Sequence, residues 1–211
     1  MIDPDAPETT SGHPFVVGVT GNIACGKSTV VAMLAELGAV AIDADTVYHE
    51  LIVPEAPLWR ALVSRYGDTI VGEDGAISRH QLGSIVFSDP NVLAELDRLT
   101  HPAVVAEIRR RLDGIGTGVV AIDAVKLLES GIDAYCDLVW LVVCDPDQQI
   151  QRLMARNGLS QADAERRIRA QPAIAPKLHR ADVVIDTSGT LASTRCQVED
   201  AWRHHIQASA R

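Results

Sequence analysis

The sequence predicts an α/β protein: a parallel sheet of about five strands flanked by helices, with one helical excursion. Three observations predict it. An apolar run, a glycine-bounded loop and a helix-patterned run follow one another between Phe15 and Gly38. Further apolar runs of strand length, "AVAID", "GVVAID", "LVWLVVCD" and "DVVID", recur with helical patterns among them. Between Pro57 and Asp113 the strands stop and helical patterning takes over.

Each element has its own signal. "FVVGVT" is short, mostly apolar and rich in β-branched residues, as suits a strand buried on both faces. "KSTVVAMLAELG" reads as a helix stopped by Gly38. "AVAID" is a second short strand running into Asp43-Ala44-Asp45. Strand, helix and strand in so short a span make a βαβ unit, and hence a parallel sheet. In the middle region "PLWRALVSRYG", "SRHQLGSIVF" and "DPNVLAELDRLTHPAVVAEIRRRLD" read as helices, with "GDTIVGEDGAIS" as a turn-rich connector and no buried strand. "PDQQIQRLMARNG" starts on an acidic, proline-marked cap, and "SQADAERRIRAQ" on Ser160. "LASTRCQVEDAWRHHI" is the last helix. The expected organisation is an α/β core over 15–56, 114–145 and 182–211, a helical insertion over 57–113 and a lid region over 146–181. Residues 1–14 are polar, acidic and proline-containing without an apolar core segment, which predicts a disordered tail and not a signal peptide.

Composition narrows the function. The 211 residues suit one substantial domain or one domain with an insertion. A net charge of -9 and only 4% aromatic residues argue against a general nucleic-acid or membrane-surface binder. No apolar run approaches the roughly 18–20 residues that span a bilayer. Cys25, Cys136, Cys144 and Cys196 lack metal-ligand spacing and read as reduced thiols of a cytoplasmic protein.

The most specific signal is Gly21-Asn22-Ile23-Ala24-Cys25-Gly26-Lys27-Ser28, which matches G-x-x-x-x-G-K-[ST] and runs on into Thr29. Glycines let the backbone fold closely and aim N–H groups inward. The following helix start adds unpaired N–H groups and a favourable dipole. Lys27 supplies a full positive charge and Ser28 a hydroxyl for Mg²⁺. A chance match in a chain of this length is about a one-in-a-hundred event at average glycine usage. Its position between strand and helix makes a phosphate cradle the preferred reading over an empty glycine turn. Cys25 reads as a small loop filler, with a helix-start reactive thiol as the alternative.

Three features point to a small-molecule kinase. Asp43 and Asp45 stand at the carboxyl end of the second strand, the edge where open α/β sheets bind ligands. One can accept a proton from an attacking hydroxyl; the other can position Mg²⁺ waters or cap a helix. Arg152 and Arg156 share a helix face, and Arg166, Arg167, Arg169, Lys177 and Arg180 follow where acidic residues are sparse. That pattern suits a lid closing positive charge over a transferring phosphoryl group, or a solvated helix face. The helical insertion supplies a second wall for a bulky acceptor. No N-K-x-D string of a guanine reader occurs. "VVAID" ending at Asp123 imitates the acidic strand end of motor ATPases and keeps an ATPase switch as an alternative.

With these residues assembled, the chain resembles the dephospho-CoA kinases from Val16 to about Ile206. The stretches that carry the resemblance are "GVTGNIACGKSTV", "ELGAVAIDAD", "FSDP", "LDRLTHPAV", "LMARNGLS" and "ADVVIDTSG". The resemblance implies a P-loop kinase core with a five-stranded parallel sheet, a helical CoA-binding domain over the insertion and a helical lid. It implies ATP and Mg²⁺ as donor, dephospho-CoA as acceptor through its ribose 3′-hydroxyl, and a monomer or weak homo-oligomer without nucleic-acid or membrane partners. By the same resemblance Asp45 is the general base, His101 lies near the acceptor, Arg156 is the lid arginine and Gln171 occupies a family position. The loop Gly21–Thr29 and Arg152 would hold ATP; Ser28, with Asp43 through water, would hold Mg²⁺. The acceptor loop, "PLLFE" in the family, reads "VKLLE" here, keeping Glu129 and placing Lys126 where it either meets an acceptor phosphate or runs its stem to solvent. The family's "IDN" near the adenine reads Ile185-Asp186-Thr187, which removes an amide capable of reading the base.

Overall fold

A computed structural model describes residues 12–171 and 173–207. The predicted tail therefore lies almost wholly outside the described residues. Five strands form one sheet: β1 (Phe15–Thr20), β2 (Val40–Asp43), β3 (Val119–Asp123), β4 (Leu138–Val143) and β5 (Val183–Asp186). All pairings are parallel, in the order β2-β3-β1-β4-β5. The strands of the first βαβ unit are thus not neighbours, because β3 enters between them from a distant part of the chain. Register sets Asp43 of β2 opposite Asp123 of β3, and Asp123 opposite Val19 of β1. Three strand ends therefore finish level at one edge, beside the point where the order switches direction.

Strand alternation divides the core into two layers. Val17 and Val19 pack with Val30, Leu34, Val198 and Ile206 on one face. These come from α1 (Lys27–Glu36), α9 (Leu191–Ala201) and the π turn Trp202–Ile206 that continues α9. Val16, Val120 and Ile122 pack on the other face with Val47 of α2 (Ala44–Leu51) and with Val104, Ile108 and Leu112 of α5 (Pro90–Ile115). At Gly18 an added Cβ would sit 2.7 Å from Leu127 Cδ2 and from Cys136 Sγ, so this strand position has no room for a side chain.

The cap consists of α3 (Pro57–Tyr66), α4 (Arg79–Val86) and the first half of α5. It has its own core, made of Leu58, Leu62, Ile70, Leu82 and Val86 with Leu93 and Leu96 against them. The 26-residue α5 serves both bodies. At 1.5 Å per residue it is about 39 Å long, so its first turns line the cap and its last turns cover the sheet. The connector holds a single antiparallel bridge, Val71 to Ile77, and a 3₁₀ turn at Asp68–Ile70.

The lid region holds α6 (Pro146–Asn157), α7 (Gln161–Arg169) and the short α8 (Ala175–Leu178). Asp145 and Ser160 cap α6 and α7 through first-turn backbone N–H groups. The arginine excess expected here is partly cancelled within the lid. Arg166 pairs with Asp163, and Arg169 with Glu165 at 3.3 Å. The two acidic residues lie one helical turn from the arginines, so the helix itself brings them together. Among the described residues no helix is long and apolar enough to cross a membrane.

Candidate active site

The phosphate loop leaves β1 at Thr20 and closes at the start of α1. Gly21 has φ 152°, and an added Cβ there would meet Val142 O at 2.3 Å. Gly26 has φ 91° and caps α1 without a side-chain hydrogen bond. The first-turn N–H groups of α1 thus face no side-chain cap, as an anion site requires. Cys25 is 3% exposed. Burial raises its thiol pKa against the pull of Lys27, so it fills the loop as a protonated thiol, and the reactive alternative lapses.

A cleft of about 260 Å³ opens over this loop. Lys27 and Ser28 form its floor, Asp43, Asp45 and Asp123 one wall, and Arg156 and Gln171 the lid side. Asp43 closes β2 and caps α2, its Oδ1 accepting from the N–H groups of Asp45 at 2.8 Å and Thr46 at 3.2 Å. That cap turns the chain so that Asp45 stands in the first helical turn, and both carboxylates line the cleft.

Asp123 is the residue that sequence reasoning left out of the site. Its carboxyl is raised from 3.8 to about 6, first by burial and then by Asp43 and Asp45. Lys27 and a hydrogen bond with Ser28 pull the other way. The signal was present as an apolar strand ending in Asp, but without the register nothing set it beside the loop.

The lid is tied to the loop through Ile23. Gln171 Oε1 accepts from Ile23 N–H at 2.7 Å, and Gln149 Nε2 donates to Ile23 O at 2.7 Å. Arg152 turns inward: it donates to Thr187 Oγ1 at 2.9 Å, Thr187 O at 2.7 Å and Gln148 Oε1 at 3.1 Å. The Thr187 hydroxyl in turn donates to Cys25 O at 2.7 Å. Thr187 is 5% exposed, so its side chain supports the loop backbone from beneath.

His101, Lys126 and Glu129 gather beside the cleft. Lys126 Nζ lies 2.6 Å from both Asp97 carboxylate oxygens, and His101 Nε2 lies 3.4 Å from the same group. His101 sits inside α5, directly before Pro102. Its pKa is lowered, by burial and then by Lys126, against Asp97 and Glu129. Lys177 of α8, exposed by only 3%, reaches Val125 O at 2.7 Å and Glu129 Oε1 at 3.3 Å. Val125 itself lines the cleft, so Lys177 joins the lid region to the acceptor loop.

Comparison with known proteins decides what such a cleft belongs to. The family model described as dephospho-CoA kinase matches residues 15–193. The chain belongs to the dephospho-CoA kinase family. It is 47% identical over 191 residues to the dephospho-CoA kinase of Symbiobacterium thermophilum, covering 89% of this chain and 80% of that one. It is 42% identical to the Geobacter sulfurreducens dephospho-CoA kinase over 89% of this chain and 96% of the relative. Among solved structures, TT1252 from Thermus thermophilus superposes with TM-score 0.79 at 30% identity, covering 92% of this chain and 98% of that one. A shikimate kinase from Bacteroides thetaiotaomicron, TM-score 0.53 at 15% identity over 90% and 96% of the two chains, shares the fold.

The donor set of this dephospho-CoA kinase fits Mg²⁺. Ser28 hydrogen-bonds Asp123, and Asp43 and Asp45 raise the pKa of Asp123 while Lys27 lowers it. An oxygen-rich site with excess negative charge suits a hard cation. Among the described residues no group of three His, Cys, Asp or Glu is placed to hold a metal ion. Mg²⁺ typically keeps several waters and takes the remaining ligands from carboxylates and phosphates.

Proposed function

We propose that the cleft transfers the terminal phosphoryl group of ATP to the ribose 3′-hydroxyl of dephospho-CoA, with Asp45 receiving the hydroxyl proton. The chain is a dephospho-CoA kinase by family and acts in the last step of coenzyme A biosynthesis. The observation that carries the site assignment is the convergence of the phosphate loop, Arg156 and Asp45 on one cleft.

The loop N–H groups and Lys27 hold the β- and γ-phosphates. Ser28, Asp123 and Asp43 would hold Mg²⁺, which would supply neutralisation of phosphate charge there. Arg156 comes from the lid side and offers a planar guanidinium to the moving group. The bond from the γ-phosphorus to the bridging oxygen breaks as the 3′-oxygen bonds to phosphorus. The hydroxyl proton passes to Asp45, and ADP leaves. Arg152 supports the nucleotide side from beneath through Thr187. His101, Lys126 and Glu129 form the acceptor wall, where Asp97 already neutralises Lys126. All four cysteines are unpaired, which accords with a reducing cytoplasm.

The test is incubation with ATP, Mg²⁺ and dephospho-CoA, followed by mass analysis of the acceptor. Addition of one phosphate at the 3′-oxygen is expected. ATP turnover without acceptor modification would overturn the reading in favour of an ATPase switch.

A further inference from the structure

We propose that Arg79, oriented by His49, is the subsite for the 5′-diphosphate of the acceptor. This rests on the reading of Asp45 as the group facing the acceptor's 3′-oxygen. Asp45 and His49 are four residues apart on α2, so they stand one above the other on one face, about 6 Å apart along the axis. That rise is comparable to the span of a ribose. An acceptor with its 3′-oxygen at Asp45 and its ribose lying along α2 would bring its 5′-phosphates beside His49.

His49 meets the cap there. Its Nε2 lies 2.5 Å from Nη2 of Arg79, the first residue of α4. Arg79 has only donors, so Nε2 must be the accepting lone pair and the ring proton sits on Nδ1. The imidazole is thus neutral, in agreement with burial and Arg79 holding its pKa low despite Asp45 and Asp43. A neutral partner aims the guanidinium without cancelling its charge. A structural arginine is ordinarily matched with a carboxylate, and several cations of the cap and its borders are so matched. Arg65 pairs with Glu95, Arg60 with Glu55, Arg111 with Glu50 and Glu107, and Lys126 with Asp97. Among the described residues Arg79 forms no ion pair. Among them exposed Arg98 of α5 also has none, so what sets Arg79 apart is the histidine that aims it. Arg79 is exposed, and it stands on the cap side of the helix that begins at the catalytic wall. An aimed, uncancelled guanidinium is suited to bidentate capture of phosphate oxygens. Dephospho-CoA brings such a group on the same ribose as its reacting hydroxyl.

The test compares dephospho-CoA with adenosine, which offers the same ribose hydroxyl without the diphosphate. For Arg79→Ala, KM for dephospho-CoA is expected to rise about 10- to 100-fold, as for a lost charge-assisted hydrogen-bond pair, with KM for ATP unchanged. Turnover of adenosine by the variant should equal that of the wild type. Where adenosine turnover is too slow to follow, its inhibition constant against dephospho-CoA at saturating ATP gives the same comparison. Arg79→Lys should restore part of the loss, because charge is kept and the fork is not. His49→Gln should fall between, since an amide oxygen can still accept from Arg79. Equal losses with both acceptors, or an unchanged KM for dephospho-CoA, would overturn the proposal. Failure of the Asp45 reading is distinguishable: Asp45→Asn would then retain turnover, whatever Arg79→Ala does to acceptor discrimination.

Discussion

The roles proposed for Asp45 and Lys27 rest on single side chains of unlike chemistry, and their variants should fail differently. Asp45→Asn keeps size and polarity but cannot take a proton. We expect kcat to fall by about 100-fold or more, with ATP affinity by calorimetry essentially unchanged. Near-normal turnover would remove Asp45 from the role of base. Lys27→Ala removes the charge that meets the phosphates, so both kcat and ATP affinity should drop. Asp123 makes a prediction about stability. Its carboxyl is raised from 3.8 to about 6, so it holds its proton more tightly folded than unfolded. Its protonation favours the fold at low pH, and that advantage is lost as pH rises from about 4 through about 6. Asp123→Asn should therefore stabilise the nucleotide-free protein by up to about 3 kcal/mol at pH 7, and the gain should shrink to little by pH 4. Urea unfolding across that range measures it. A gain that does not change with pH would refute the assignment of the strain to this carboxyl. Activity should meanwhile fall if Asp123 serves the Mg²⁺ donor set proposed above.

Among the elements, α2 and the lid carry the geometry. The cap at Asp43 fixes where α2 begins, and hence where Asp45 stands. Asp43→Ala removes an acceptor for two backbone N–H groups, at a cost of about 1 kcal/mol. Asp43→Asn keeps the cap oxygen, so its stability should stay near that of the parent while Mg²⁺ dependence weakens. The lid has a comparable tether. Gln171 holds Ile23 N–H by a single 2.7 Å hydrogen bond. Gln171→Ala should raise amide hydrogen exchange at Ile23 and in α7 in the nucleotide-free protein. Unchanged protection would show that Gln149 and the α6–α7 packing hold the lid without it. The sequence left the arginines of the lid region open between a closing lid and a solvated helix face, and the ion pairs within α7 accord with the second for Arg166 and Arg169. Arg166 and Arg169 are spent on Asp163 and Glu165, and what remains directed at the cleft is Arg156.

On the scale of the whole molecule, one cleft is made from two packed bodies that share α5. Leu62 is fully buried in the cap core. Leu62→Ala should destabilise by about 2–5 kcal/mol and, on the proposed division of acceptor to the cap and donor to the sheet, raise KM for dephospho-CoA more than KM for ATP. Thermal unfolding with paired kinetics checks both effects. The five strands, the phosphate loop and the helical insertion were all legible in the chain, since each has a local cause. Apolar runs make buried strands, glycines make the loop, and helical periodicity makes the cap. The residues from Gly21 to Thr29 therefore predicted by themselves a phosphate cradle, and the structure has the uncapped helix start that such a cradle needs. Other placements have no local cause. Asp123 joins the site because parallel register levels β3 with β2 and β1. Lys177 is buried against the acceptor loop 52 residues away in sequence. Thr187 supports the loop across 162 residues. Arg79 meets His49 only because the cap folds back over α2. Local pattern determined the elements and the glycine loop with its Lys27 and Ser28. Tertiary packing alone decided which distant side chains complete it, because a sheet edge and a cap assemble groups whose spacing in sequence carries no trace of their contact.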